Sequence, residues 1–552
     1  METKRAFLAI LLSVGILFGY QYFFAPSSSL RQDVPEKEVS APTTPETPAG
    51  QEKAVQPTTD LQPASGAPSA SVREGKIIPV ETSFFTAQVS ETGGGIKSFK
   101  LKKYLETLKP DSDFEELITT RGGTELPLYF TWGASQDSSA TVPVFTADKE
   151  RLDISANGEG TLSMSAMLPS GIRVNRILTF RDKDYRMRLV VEVDNPTSQP
   201  LQGAPHLRLT NRPFSSQHGS SRYLFTGPSV FVDGALQEIK SKDLEKSAKT
   251  VSGNISWTAY EDTYFMCGVI PLETQQNIAR YSLAGDDQVS IDLSGNADII
   301  PPHGRKQYQY TVYFGPKELA TLKAVGSNLD RIVDFGWFDV MAKPTLYLLN
   351  FLHKYIHNFG VAIILVTIII KLLFWPIAQK GMKSMKVMQK LQPKMAKLRE
   401  KYKDDKERLN QEIMKLYQTY KVNPIGGCLP MVLQIPVFFA LYKVLLQTIE
   451  LRHAPFMLWI NDLSAPDRLY IGFHLPYVGG LPVLTLLMGA SMYLQQKMTP
   501  TTGDPTQAKM MKFLPLIFTF MFINFASGLV LYWFVNNLLS IAQQYMINRQ
   551  VD

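Results

Sequence analysis

The sequence predicts an α-helical membrane protein of six spans that carries a large all-β domain outside the bilayer. Six predominantly apolar runs of 14 to 23 residues approach or reach the roughly 20 helical residues needed to cross a hydrocarbon core. Between the first and second runs the pattern changes to short Val-, Ile-, Phe-, Tyr- and Thr-rich segments broken by turn residues, as strands require. The basic residues gather on one side of the spans. Of the 552 residues 45% are hydrophobic and 19% charged, with a formal net charge of +7. The two cysteines, Cys267 and Cys428, exclude a disulfide scaffold and a cysteine metal cluster.

In chain order, residues 1–25 read as an uncleaved signal anchor: Lys4 and Arg5 precede the uncharged run Ala6 to Phe24, and no clear A-x-A cleavage site follows. Residues 26–75 lack any aromatic residue and are rich in Pro, Ser, Thr and Glu, so they read as a disordered tether. Residues 76–335 form the β domain, with Ile172 to Phe180, Asp182-Lys-Asp184 and Tyr185 to Val193 as a strand, turn and strand. Residues 336–358 mix Phe338, Leu346, Leu349, Leu352 and Ile356 with Lys343, His353, Lys354 and His357, which suits a helix in the membrane interface. The remaining expected spans are 359–379, 424–448, 477–496, 513–526 and 528–547, with a tail at 548–552.

Charge sets the topology. Between Ile377 and Asn423 thirteen basic residues face five acidic ones, a local excess of +8. The loop 497–512 is also basic, whereas 449–476 carries only Arg452 and Arg468. The positive-inside bias places 380–423, 497–512 and both termini in the cytoplasm. Within 380–423, Met385, Met388, Leu391, Met395, Leu398 and Tyr402 recur at helical steps, as do Leu409, Ile413, Leu416 and Tyr420. These predict a cytoplasmic helical hairpin turning near Lys403. Met385, Met388, Lys394, Lys397 and Arg399 would make this hairpin a docking surface whose methionines adapt to varied apolar sequences; the alternative is a solvated face on anionic lipid.

Enzyme motifs are poor. Thr92-Gly-Gly-Gly-Ile-Lys-Ser98 lacks the Gly-Lys pair of a phosphate loop and fits a turn between strands. His353 and His357 have metal-like spacing without a following Glu, and we expect no metal, no cofactor and no catalytic residues. Lys371 stands out because a cation inside a span costs about 2.5 to 3.5 kcal/mol on insertion scales. Thr367 precedes it by one turn. Asn536, Ser540 and Gln543 share a face of the last span, Asn537 and Gln544 lie beside them, and Gln434 sits in the third. One cation among polar faces of three helices implies a hydrated cavity. The spans contain no acid to pair with Lys371, which disfavours coupled transport. The expected helix 513–526 would be only about 21 Å long and would thin the bilayer locally.

Asn423-Pro-Ile-Gly-Gly-Cys-Leu-Pro430, Gln434-Ile-Pro-Val-Phe-Phe-Ala-Leu-Tyr442, the run from Glu450 to Ser464, Gln496 to Thr502 and Ser527-Gly-Leu-Val-Leu-Tyr532 resemble the YidC membrane protein insertases of the YidC/Oxa/Albino superfamily. The resemblance implies a five-helix core around a hydrophilic groove that is open to cytoplasm and lipid, and a β-supersandwich of the sugar-mutarotase-like type. It places Lys371 where the family commonly has Arg, matches Thr367 and Gln434 to groove-lining positions, and matches Tyr532 and Trp533 to an aromatic pair that touches nascent spans. It further implies residence in a Gram-negative inner membrane and action alone or with the Sec translocon. The implied partners are nascent membrane proteins, Sec components, the ribosome, the signal-recognition-particle receptor and anionic lipids, with no specific nucleic-acid recognition. The chain ends soon after Arg549, without a long basic tail for ribosome contact. The second reading is a small-solute transporter or channel using the same cavity.

Overall fold

Alternation of apolar and polar residues builds the first half of the molecule. In the strands Arg173–Arg181 and Arg186–Asp194 every second side chain is buried. The two pair antiparallel from Met187 opposite Phe180 to Asp194 opposite Arg173, with Lys183 in the turn at φ 56°. The computed structural model describes residues 75–109, 111–120, 126–133, 142–155, 158–168, 170–214, 224–273, 276–284, 287–403, 405–420, 429–472, 478–498 and 505–551. The expected anchor and tether and Cys428 lie outside them, apart from Gly75.

The described strands form sheets of nine, six and five strands, the nine-stranded one containing the hairpin just named at residues 173–194. Large side chains such as Phe85, Phe99, Trp257, Phe265 and Phe314 fill the core. The triple glycine is a turn between the strands Phe85–Ser90 and Ile96–Leu105, with Gly93 at φ 72° and Gly94 at φ 67°. It also closes around Arg176, which donates to the carbonyls of Gly93 at 3.1 Å and Leu128 at 2.7 Å. A Cβ on Gly94 would stand 3.0 Å from that guanidinium. Burial holds the Arg176 guanidinium down to about 10.

The second half is helical. We label the helices α1 (Asp339–Ile356), α2 (Phe359–Lys401), α3 (Lys406–Thr419), α4 (Leu429–Gln447), α5 (Val483–Met498), α6 (Pro505–Phe522) and α7 (Ser527–Val551). Among the described residues α2 alone is both long and apolar enough to cross a bilayer, and Gln434–Gln447 and Lys512–Phe522 are shorter apolar stretches. Three boundaries differ from expectation. α2 runs unbroken through residue 380 into the basic segment. α5 begins at Val483 rather than 477, because Gly479 at φ 80° and Pro482 hold the preceding chain in a turn. α6 extends back to Pro505 and stops at Phe522 instead of Ala526, where the chain reverses into α7. Although the helix has eighteen residues, its apolar stretch, Lys512–Phe522, stays shorter than a bilayer span.

The segment 449–472 organises one end of this bundle. Asp467 Oδ2 accepts from the backbone N–H groups of Leu484 at 2.5 Å and Thr485 at 3.2 Å, capping α5, while its Oδ1 accepts from Trp459 Nε1 at 2.7 Å. Arg468 donates to the Ile523 carbonyl and the Asn524 side chain, each at 2.8 Å, fixing the turn between α6 and α7. The first N–H groups of α7 donate to the carbonyls of Ala465 and Leu463. Asn358 caps α2 and donates to the Phe456 carbonyl at 2.8 Å, and a Cβ on Gly360 would collide with the Phe456 ring.

The same segment meets the β domain. Arg452 donates to Glu115 at 2.7 Å across 337 residues of sequence. Both side chains are at most 1% exposed, and the guanidinium stacks 5.2 Å from the centre of the Phe265 ring. Nearby, Asn350 on α1 donates to Glu450 at 3.0 Å. Burial raises the Glu450 carboxyl above the ordinary range.

Candidate functional site

Steps of four and three put Asn536, Ser540 and Gln543 on one side of α7, and that side meets α2. Lys371 Nζ donates to Ser540 Oγ at 2.6 Å and to Asn536 Oδ1 at 3.4 Å. One turn further on, Gln543 Nε2 donates to the Trp375 carbonyl at 3.5 Å. The adjoining side of α7 meets α5: Asn537 Nδ2 donates to Ser491 Oγ at 3.0 Å and Gln544 Nε2 to the Met498 carbonyl at 2.7 Å. Polar bonds of this kind hold together helices whose apolar surfaces gain little from each other in a lipid setting.

Lys371 itself is half-buried. Its hydrogen-bond partners among the described residues are neutral oxygens, so its charge is solvated without being cancelled. Immediately beside it Leu372 and Leu373 point away from the bundle, 61% and 69% exposed. The arrangement therefore sets a cation in a polar seam whose outer wall is apolar.

The other expected groove residues fall into separate groups. Thr367 lies on the Lys371 side of α2, but it is buried and its hydroxyl donates to the Ile363 carbonyl at 2.7 Å, so it does not reach the ammonium. Gln434 on α4 is half-buried and hydrogen-bonds the buried Tyr532. Trp533, next in sequence, points elsewhere. Its ring meets Phe438 edge-on at 4.8 Å and lies 5.3 Å from Phe522 and 6.0 Å from Phe518, an aromatic cluster that joins α4, α6 and α7. Two members, Phe518 and Phe522, sit on α6 where sequence reasoning assigned no site residues. Gly489 on α5 lets Thr519 of α6 approach so closely that a Cβ would overlap its hydroxyl.

α2 and α3 fold back on each other, and the contact corrects the expected docking surface. Met388 and Leu391 are buried against Leu416 and Tyr417, and Tyr417 OH donates to Met395 Sδ at 3.5 Å. The methionine side of α2 is thus spent inside the hairpin, with Met385 half-buried, because two amphipathic helices in antiparallel contact bury their apolar stripes first. Lys394, Lys397 and Arg399 remain outside, whereas Lys386 is buried. Lys397 and Arg399 are exposed, and Lys394 donates to the Tyr420 hydroxyl while sitting over that ring.

His353, one of the two histidines with metal-like spacing, stacks on Phe359 with ring centres 3.6 Å apart.

Two family models match the chain: one described as the 60Kd inner membrane protein over residues 351–552, the other as the YidC periplasmic domain over residues 77–348. A protein named membrane protein insertase YidC from Syntrophobacter fumaroxidans is 44% identical over 473 residues, covering 85% of this chain and 86% of that one. A protein of the same name from Syntrophus aciditrophicus is 42% identical over 556 residues, and one from Citrifermentans bemidjiense 41% identical over 552, each covering 99% of both chains. These relatives are named for insertion, and the reading as a solute transporter or channel finds no support among them.

Proposed function

This chain belongs to the YidC family of membrane protein insertases, and on that footing we propose how it moves a client. It is an insertase of the bacterial inner membrane, and its clients are nascent membrane proteins. We read five spans in the helical half and one in residues 1–25, with both termini cytoplasmic and the β domain in the periplasm. A hydrophilic segment of the client enters the seam from the cytoplasm while its apolar segment slides out past the exposed side chains of α2 and α6. Hydrophobic burial of that segment in lipid drives release, and no nucleotide or covalent step is required.

The observation that carries this reading is the uncancelled charge of Lys371 on the polar side of α7. A lone cation attracts an acidic tail and can let it go, whereas a neutralised one would do neither. Asn536 and Ser540 line the seam, Thr367 lies one turn from Lys371 on α2, Gln434 and Tyr532 form a separate polar contact between α4 and α7, and Trp533 with its aromatic neighbours supplies an apolar contact for the passing span. The exposed Lys394, Lys397 and Arg399 hold the hairpin against anionic headgroups or the ribosome. The signal-recognition-particle receptor would meet the same basic face. The Sec translocon is a further partner in this reading, met on the periplasmic side by the β domain.

The test is insertion into proteoliposomes of a Sec-independent client with an acidic amino-terminal tail. Lys371→Arg retains insertion, because charge rather than a bidentate fork is what the tail meets. Lys371→Glu impairs it, and normal insertion by Lys371→Glu would remove the electrostatic role. Site-specific crosslinking from Trp533 and Gln434 to ribosome-bound chains should give client adducts.

A further inference from the structure

Lys371 is not simply present in the seam; its ammonium is held in place. Ser540 Oγ is the near acceptor at 2.6 Å, and Asn536 Oδ1 is a longer second at 3.4 Å. The Ser540 hydroxyl owns a single proton, and that proton is directed at the Asn536 carbonyl 2.7 Å away, one turn back along α7. The oxygen that faces Lys371 therefore offers only lone pairs. An ammonium has three donors on a flexible four-carbon stem. Among the described residues two are taken up on α7, which leaves the third for an incoming group. Without these acceptors the stem would be free to swing toward the polar end of the bundle, as long cationic side chains near helix ends do.

We infer that Ser540 is a positioning residue: by accepting from the Lys371 ammonium it fixes the charge within the seam and thereby sets how strongly the insertase favours clients with acidic tails over neutral ones. The inference rests on the reading of Lys371 as the groove cation. It also ties this chain's Lys at position 371 to its Ser at position 540. A compact ammonium bonds to a single hydroxyl, whereas a planar guanidinium presents five donors in a wider fork. Asn536 adds less, because its contact is near the limit of a hydrogen bond.

The experiment measures insertion by the full chain in proteoliposomes of two clients that differ only in the tail, one acidic and one neutral. The quantity read is the ratio of the two efficiencies, from which the fraction of folded insertase cancels. Ser540→Ala is expected to lower the acidic preference about threefold, the typical worth of one interhelical hydrogen bond in a membrane protein. Ser540→Thr, which keeps the hydroxyl, restores it, and Asn536→Ala lowers it by less. Lys371→Gln is the reference and should abolish the preference. An unchanged ratio in Ser540→Ala alongside a lost preference in Lys371→Gln overturns the positioning role and leaves the groove cation standing. Equal loss for both clients, with the ratio preserved, shows a merely structural role and likewise overturns the inference. A preference that survives Lys371→Gln refutes the reading of Lys371 itself, and this inference with it.

Discussion

Arg452 and Lys371 are two cations withdrawn from bulk water, and the molecule treats them in opposite ways. Arg452 faces the Glu115 carboxylate with both side chains sealed, at the end of the bundle where Asp467 and Arg468 also fix helix termini. Lys371 meets a hydroxyl and a carboxamide, remains half-buried and has exposed leucines beside it. A cation with a carboxylate is a tie between distant parts of the chain, and one with neutral oxygens keeps its charge for something else. On the function proposed above, one end of the bundle stays closed and the other receives the client.

The contrast can be broken most directly at Arg452. Arg452→Ala removes the buried ion-pair partner of the Glu115 carboxylate and should cost about 3 to 5 kcal/mol in unfolding of the detergent-solubilised chain. A double variant with Arg452→Met and Glu115→Leu should recover most of that, and failure to recover would mean the pair does more than neutralise itself. The same opening can be followed chemically in a Cys428→Ser background. Cys267 is fully buried two residues from Phe265, and burial pushes its thiol well above the ordinary value. Maleimide labelling of Cys267 should be slow in the parent and clearly faster in Arg452→Ala.

Asp467→Ala removes the α5 cap and the Trp459 bond together, and about 1 to 2 kcal/mol should be lost in the same unfolding assay. Glu450→Gln is a milder probe of the closed end. Burial raises the folded carboxyl above its unfolded value, so its contribution is full below about pH 4.5 and declines as pH rises through the folded pKa. Melting temperature followed against pH should fall less steeply toward neutrality in Glu450→Gln, which can still accept from Asn350. The smallest effect belongs to Lys371→Met, expected to change stability by less than about 1 kcal/mol, since no buried carboxylate is abandoned. A loss as large as that of Arg452→Ala would erase the distinction between the two cations.

Much of this was legible in the residues because it is periodic. Alternation gave the hairpin 173–194, the glycines gave their turn, and the basic excess found the segment where α2 leaves the apolar stretch. The side of α7 carrying Asn536 and Ser540 follows from steps of three and four, and Lys371 from the cost of a charge among apolar neighbours. Features that depend on distant contacts were invisible. Glu115 and Arg452 are separated by 337 positions, and neither has a local pattern that names the other. Asp467 caps a helix that begins sixteen residues later, so no N-cap signature surrounds it. Met388 misled because an apolar stripe looks the same whether it awaits a partner or already faces α3. Thr367 shares the Lys371 side of its helix, yet its hydroxyl is satisfied within that helix.

The unbroken course of α2 makes it a lever. Its 43 residues span about 65 Å, clamped at one end by Asn358 and Gly360 against Phe456, with Lys371 about 18 Å from the clamp and the basic hairpin at the far tip. Moved as one body about that clamp, α2 would shift Lys371 by little more than a quarter of any sideways travel at the hairpin. Such gearing would pass only a small part of any displacement of the cytoplasmic arm to the cation anchored in the seam. Pro376 and Pro393, each of which removes a backbone hydrogen bond, mark where that arm can give.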